Sequence, residues 1–177
     1  AAALWRAAGP GRALFGDVLT IGGESAGAHL SVVTLLRLRD RHGLTPFHAA
    51  NLIAACYDLA LPPSARRFGT RRLVLNSRDI SMFVRHFLLH GGDTADPDVS
   101  PIQADLAGLP PALFSVGTAD ALLDDSLFMA ARWTAAGNTA ELAVHPGGVH
   151  VFQAFPCGLT EASLERQHAF LAGAGRC

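Results

Sequence analysis

The chain contains no lysine: all fourteen of its basic residues are arginine. Fifteen acidic residues offset them to a net charge of −1, so neither sign is in excess to attract nucleic acid or an anionic membrane surface. Charge is scarce altogether, at 16% of residues, whereas 50% are hydrophobic; that balance excludes a disordered chain. Cysteine is scarce too. Cys56, Cys157 and Cys177 are scattered and odd in number, which argues against a disulfide framework, and no C-x-x-C or clustered His/Cys spacing offers a metal site. No metal and no organic cofactor is expected, and a reducing, cytoplasmic compartment is the default. No apolar run reaches the roughly 20 residues of a membrane span. The chain begins Ala1-Ala2-Ala3 without a methionine, so the lack of a secretory leader at this end leaves a removed one open.

What is present is an alternation of strand and helix patterns, and 177 residues are enough to bury one core. Ala1–Ala8 reads as the last turns of a helix, ended by Gly9-Pro10-Gly11. Strands are expected over Asp17–Gly22, Asn51–Cys56, Pro111–Gly117 and Glu141–His145. The second and third are continuous apolar runs, as for strands covered on both faces. Helices are expected over Ala28–Arg39, Asp79–His90, Asp124–Ala136, and from a Thr160 cap to about Ala172. The first is apolar around most of its circumference and should be buried. In the second, Ile80, Phe83, Val84, Phe87 and Leu88 recur at i, i+3, i+4, i+7 and i+8, one face of a helix. Asp124 and Asp125 suit the positive end of the third helix's dipole. This order predicts an α/β fold with a mostly parallel sheet and helices on both faces. No repeat, linker or low-complexity tract divides it.

Between the first strand and first helix lies Gly22-Gly23-Glu24-Ser25-Ala26-Gly27. Strand, sharp turn and helix are the context in which G-x-S-x-G presents a nucleophile. Gly23 and Gly27 should relieve a turn too sharp for side chains, which lifts the Ser25 hydroxyl clear of the sheet. The Ala26 amide, opening the helix, would point at a developing oxyanion. A serine hydroxyl needs a base, which a neutral histidine supplies best near pH 7, and the histidine needs a carboxylate to fix its tautomer. In open parallel sheets such groups follow the C-terminal ends of strands. Asp120, three residues past the third strand, fits the carboxylate; Asp124 and Asp125 compete but read as helix-start residues. His150 fits the base, in a loop expected over Pro146–His150. The other seven histidines fall within helices, at a strand end or in a connecting loop, where packed or exposed roles are expected. The order Ser, Asp, His is that of the hydrolase triad.

Taken together, five stretches resemble the bacterial hormone-sensitive-lipase branch of α/β hydrolases: Gly23-Glu24-Ser25-Ala26-Gly27, Ser100-Pro101, Leu109-Pro110-Pro111-Ala112, Gly117 through Asp124, and Pro146-Gly147-Gly148-Val149-His150-Val151-Phe152. The likeness runs from about residue 17 to the C-terminus. It implies Ser25 as nucleophile, Asp120 as acid and His150 as base, in hydrolysis of short-chain carboxylic esters through an acyl-enzyme. It also implies that a helix over about residues 78–92 overhangs the pocket, with Met82, Phe83 and Phe87 touching the acyl group, although ordinary core packing explains those three as well. One departure is plain: only 24 residues precede Ser25, and no His-Gly-Gly-Gly-type oxyanion segment is among them. The expectation is the C-terminal portion, residues 1–177, of a longer catalytic domain whose first strands are missing. With only the Ala26 amide to hold the oxyanion, such a piece should be nearly inactive, since one lost donor costs ~10²–10³ in rate. Its uncovered strand edge should make it poorly soluble. Two alternatives stand beside the esterase: a non-catalytic ligand-binding relative, as in plant gibberellin receptors, and an inactive truncated product.

Overall fold

The computed structural model describes residues 18–71 and 73–174. The helix expected over Ala1–Ala8 lies outside them. Four parallel strands stand in the order β1-β2-β3-β4: β1 Thr20–Glu24, β2 Ala49–Ile53, β3 Ala112–Ala119 and β4 Ala140–Val149. Helices α1 Ala26–His42, α2 Pro63–Arg67, α3 Ser77–Phe87, α4 Leu123–Ala135 and α5 Gly158–Gly173 connect and follow them. Strand alternation with period two assigns each face its helices. Leu52 and Phe114 are register partners and share one core cluster with Val32 and Leu36 of α1 and with Met129 and Trp133 of α4. The neighbouring Asn51 turns to the other face, where its amide donates to Gln167 of α5 at 3.0 Å. The expected α/β architecture is therefore present, with helices on both faces.

The core is built around Phe114. Its ring meets Tyr57 and Trp133 edge-on, at centroid distances of 6.2 and 5.5 Å, the arrangement aromatic quadrupoles favour. All three are fully buried. The Trp133 indole N–H donates to the Pro110 carbonyl at 3.0 Å, so a large apolar ring is buried without stranding its donor.

Local chemistry sets the ends of the helices. α1 stops at Gly43, whose φ of 62° is left-handed, with Gly43 and Leu44 N–H bonded back to Arg39 and Leu38; glycine takes that conformation without a Cβ clash. α3 starts where the Asn76 side chain accepts from the Arg78 and Asp79 amides. It ends at Phe87 and not at His90. α1 is buried along most of its length, but Leu30 is 58% exposed, because that side of the helix faces a cavity.

Two expectations need correction. Residues 146–149 are not loop: β4 runs on through Pro146, with a register shift against β3 between Gly117 and Ala119. A proline is tolerated where a strand lies at the sheet's edge or bulges, since no ladder hydrogen bond is lost. Thr160 does not cap α5. Cys157 holds that position, and the Thr160 hydroxyl lies 3.0 and 2.7 Å from the Phe152 and Phe155 carbonyls, fastening the preceding turn. Asp124 and Asp125 do lie in the first turn of α4 as expected; Asp125 is in addition fully buried, and its Oδ1 accepts from the Tyr57 and Asp58 amides at 2.7 and 2.9 Å.

Candidate active site

Ser25 sits between β1 and α1 at φ 55°, ψ −121°, a strained conformation for a residue with a side chain. Its surroundings over-determine it. The Ser25 amide donates to Ile53 O of β2 at 2.8 Å, and helix α1 begins at the next residue. A Cβ on Gly23 would lie 2.4 Å from the Gly27 carbonyl carbon, and one on Gly22 would lie 2.5 Å from Asn51 O. Gly23 and Gly22 are thus required by close backbone approach. Gly27 is not: a Cβ there meets nothing within 4 Å, and the turn needs no glycine at that point.

The other two residues arrive from the ends of adjacent strands. Asp120 follows β3, and its Oδ1 accepts from Leu122 N at 2.9 Å. His150 follows β4. Its Nδ1 lies 2.9 Å from Asp120 Oδ2 and its Nε2 lies 3.0 Å from Ser25 Oγ. Both Asp120 and His150 are buried. Two devices bring their loops together. The Gly147 amide donates to Thr118 Oγ1 at 2.8 Å, and β3 and β4 nearly touch at Gly117, where a Cβ would lie 2.0 Å from Gly148 O. A carboxylate only accepts, so Nδ1 carries the proton and Nε2 is left as an acceptor for the serine hydroxyl.

Glu24, next to Ser25, has a buried, unpartnered Oε1. Burial holds its carboxyl above the ordinary range; the nearby His150 pulls the other way and Asp120 adds to the rise. Asp124 points elsewhere, accepting from Ser64 N at 2.7 Å. Of the other histidines, His42, His48, His86, His90 and His168 are exposed. His145 is half-buried against Phe152, and burial holds its imidazole below the usual value. Among the described residues, no group of three His, Cys, Asp or Glu side chains has metal-binding geometry.

Ser25 and His150 border a cavity of about 650 Å³ whose walls are mostly aliphatic and aromatic. Phe83 and Phe87 line it; Met82 does not. The reason is legible in the helical stripe: Ile80, Phe83, Val84 and Phe87 share the face of α3 turned to the cavity, and Met82 falls outside that face. Sequence reasoning missed Leu30 and His29, which reach the same cavity from α1. Their positions four and five residues after Ser25, one turn along the helix that Ser25 opens, were the available signal.

The sequence pattern of the alpha/beta hydrolase fold matches residues 5–154. The chain belongs to the α/β-hydrolase family. Among curated relatives, this chain is 32% identical over 145 residues to an esterase of Acinetobacter venetianus, covering 81% of this chain and 48% of that one. It is 33% identical over 157 residues to an acetyl-hydrolase of Streptomyces hygroscopicus, covering 86% and 52%. A hormone-sensitive lipase from a metagenome library superposes with a TM-score of 0.83 at 28% identity, over 89% of this chain and 54% of the other. A Pyrobaculum calidifontis hyperthermophilic esterase gives 0.77 at 29% identity, over 88% and 51%. The resemblance to the hormone-sensitive-lipase branch thus extends to three dimensions, and the chain spans about half the length of these relatives. No helix among the described residues is long and apolar enough to cross a membrane.

Proposed function

We propose that this hydrolase cleaves carboxylic esters through an acyl-enzyme, with Ser25 as nucleophile, His150 as general base and acid, and Asp120 orienting His150. The observation that carries the proposal is the line of two hydrogen bonds, Asp120 Oδ2 to His150 Nδ1 and His150 Nε2 to Ser25 Oγ, opening on an apolar cavity. The names of the relatives, esterase and acetyl-hydrolase, agree with it.

The steps follow from the donors and acceptors. His150 Nε2 takes the Ser25 proton as Oγ attacks the ester carbonyl carbon, and Asp120 stabilises the resulting imidazolium. The Ala26 amide, first in α1 and without an intrahelical acceptor, donates to the oxyanion. Collapse returns the proton from His150 to the departing alkoxide and leaves the acyl group on Ser25. Water, deprotonated by His150, then attacks the acyl carbon; the acid leaves and Oγ regains its proton. The net change is ester plus water to acid plus alcohol. Phe83 and Phe87 would hold the acyl portion by apolar contact.

The test is hydrolysis of p-nitrophenyl butyrate by the purified chain and by Ser25→Ala. Slow turnover is expected, because the Ala26 amide is the only oxyanion donor identified among the described residues and one missing donor costs ~10²–10³ in rate, and it should vanish in the variant. Equal rates from the two proteins would overturn the proposal.

A further inference from the structure

His29 is the polar side chain of the cavity that this mechanism leaves unused. It lies four residues beyond Ser25 on α1, which is about 6 Å along the helix axis, and its ring borders the same cavity as Ser25 and His150. Nδ1 lies 2.7 Å from the Cys56 carbonyl oxygen. A carbonyl only accepts, so Nδ1 carries the hydrogen and the neutral ring offers Nε2 as a bare acceptor. Burial holds the imidazole below the usual histidine value, which keeps it neutral near pH 7. The ring is fixed from a second side by Phe87 of α3, which meets it edge-on with centroids 6.2 Å apart. The contrast is His145, whose Nε2 is sealed away without a partner; His29 borders the cavity. Among the described residues the rest of the wall, besides Ser25 and His150, is Ala26, Cys56 and leucine, valine, isoleucine and phenylalanine side chains, so His29 brings an oriented hydrogen-bond acceptor to it a helical turn from Ser25.

We propose that His29 determines specificity, its Nε2 accepting a hydrogen bond from a hydroxyl on the acyl portion, so that the preferred substrates are 3-hydroxyacyl esters. The proposal rests on the ester-hydrolase reading above. The direction is that of the helical turn: a carbonyl carbon in attack position sits ~3–3.5 Å from Ser25 Oγ, and a hydroxyl oxygen on the third acyl carbon, three bonds from that carbon, extends along the cavity that His29 borders. An unsubstituted acyl chain leaves the acceptor desolvated and unpaired, and that is what discriminates against it.

The experiment compares kcat/KM for p-nitrophenyl 3-hydroxybutyrate and p-nitrophenyl butyrate in the whole chain and in His29→Phe. The parent should prefer the hydroxylated ester by about two- to tenfold, the worth of one neutral hydrogen bond, and the ratio should fall to about one in the variant. A ratio unmoved by the substitution overturns the proposal. The second measurement needs no turnover and no variant. In ¹⁵N-histidine-labelled protein, the His29 resonances should report the Nδ1–H tautomer, and the Nε2–H tautomer would overturn the proposal. If neither ester is hydrolysed, the esterase reading fails on its own. The acceptor is then judged by adding 3-hydroxybutyramide or butyramide to the labelled protein: movement of Nε2 with the first compound alone supports it, and movement with neither or both overturns it.

Discussion

Replacing Asp125 by asparagine should flatten the pH dependence of stability. The Asp125 carboxyl is fully buried at the start of α4; its Oδ1 accepts two backbone N–H groups from the β2–α2 connection, and its Oδ2 has no partner. Burial dominates over those two hydrogen bonds and raises its pKa from 3.8 to about 7. Between those values the folded protein holds a proton that the unfolded chain has released. Stability from this group is therefore complete below pH ~4 and is lost as pH rises to ~7. The slope is about 1.4 kcal/mol per pH unit, so from pH 5 to pH 7 the loss is on the order of 3 kcal/mol. An asparagine keeps an amide oxygen for the same two N–H donors and cannot ionise. Urea unfolding of both proteins at pH 5, 6, 7 and 8 gives the difference in stability at each pH. The buried His29 and half-buried His145 titrate in the opposite sense, but they are common to both proteins and cancel. The parent should lose roughly 3 kcal/mol relative to Asp125→Asn between pH 5 and pH 8, mostly below pH 7. Parallel curves would refute the assignment of the burial to this carboxyl.

Other substitutions separate backbone space from chemistry. Gly117→Ala places a Cβ 2.0 Å from Gly148 O, which must part β3 from β4 just before Asp120 and His150; ester hydrolysis should fall by ~10² for a shift of about 1 Å, and a rate within twofold of the parent would contradict this. Gly23→Ala should destabilise the elbow by about 1–3 kcal/mol through overpacking, whereas Gly27→Ala, meeting open space on a helix, should be neutral or stabilise by up to ~1 kcal/mol; thermal melts of the pair decide it. Asp120→Asn should keep the fold by circular dichroism but lower kcat by roughly 10⁴, the cost expected when the base is held in the wrong tautomer.

The sequence by itself determined the local elements and the turn that carries Ser25. Apolar runs and the 3.6-residue stripe gave β2, β3 and α3 to within a few residues, because each is a periodicity that a short window contains. G-x-S-x-G between strand and helix located the elbow for the same reason, and placement after strand ends singled out Asp120 and His150. Tertiary structure decided what touches what. Nothing in the sequence around Pro146 told that β4 would continue along β3, because strand extension depends on a partner about thirty residues earlier. Two adjacent acidic residues at one helix start were indistinguishable in sequence. Packing of α4 against the β2–α2 connection buried Asp125, while Asp124 remained at the rim to accept from Ser64. Gly27 matched a motif, yet the space around it is open and Gly23 carries the steric requirement. His29 read as a packed or exposed residue, and only the structure put it on the wall of the cavity between α1 and α3. Backbone preference is a property of neighbours along the chain, whereas burial, tautomer and free volume belong to neighbours in space.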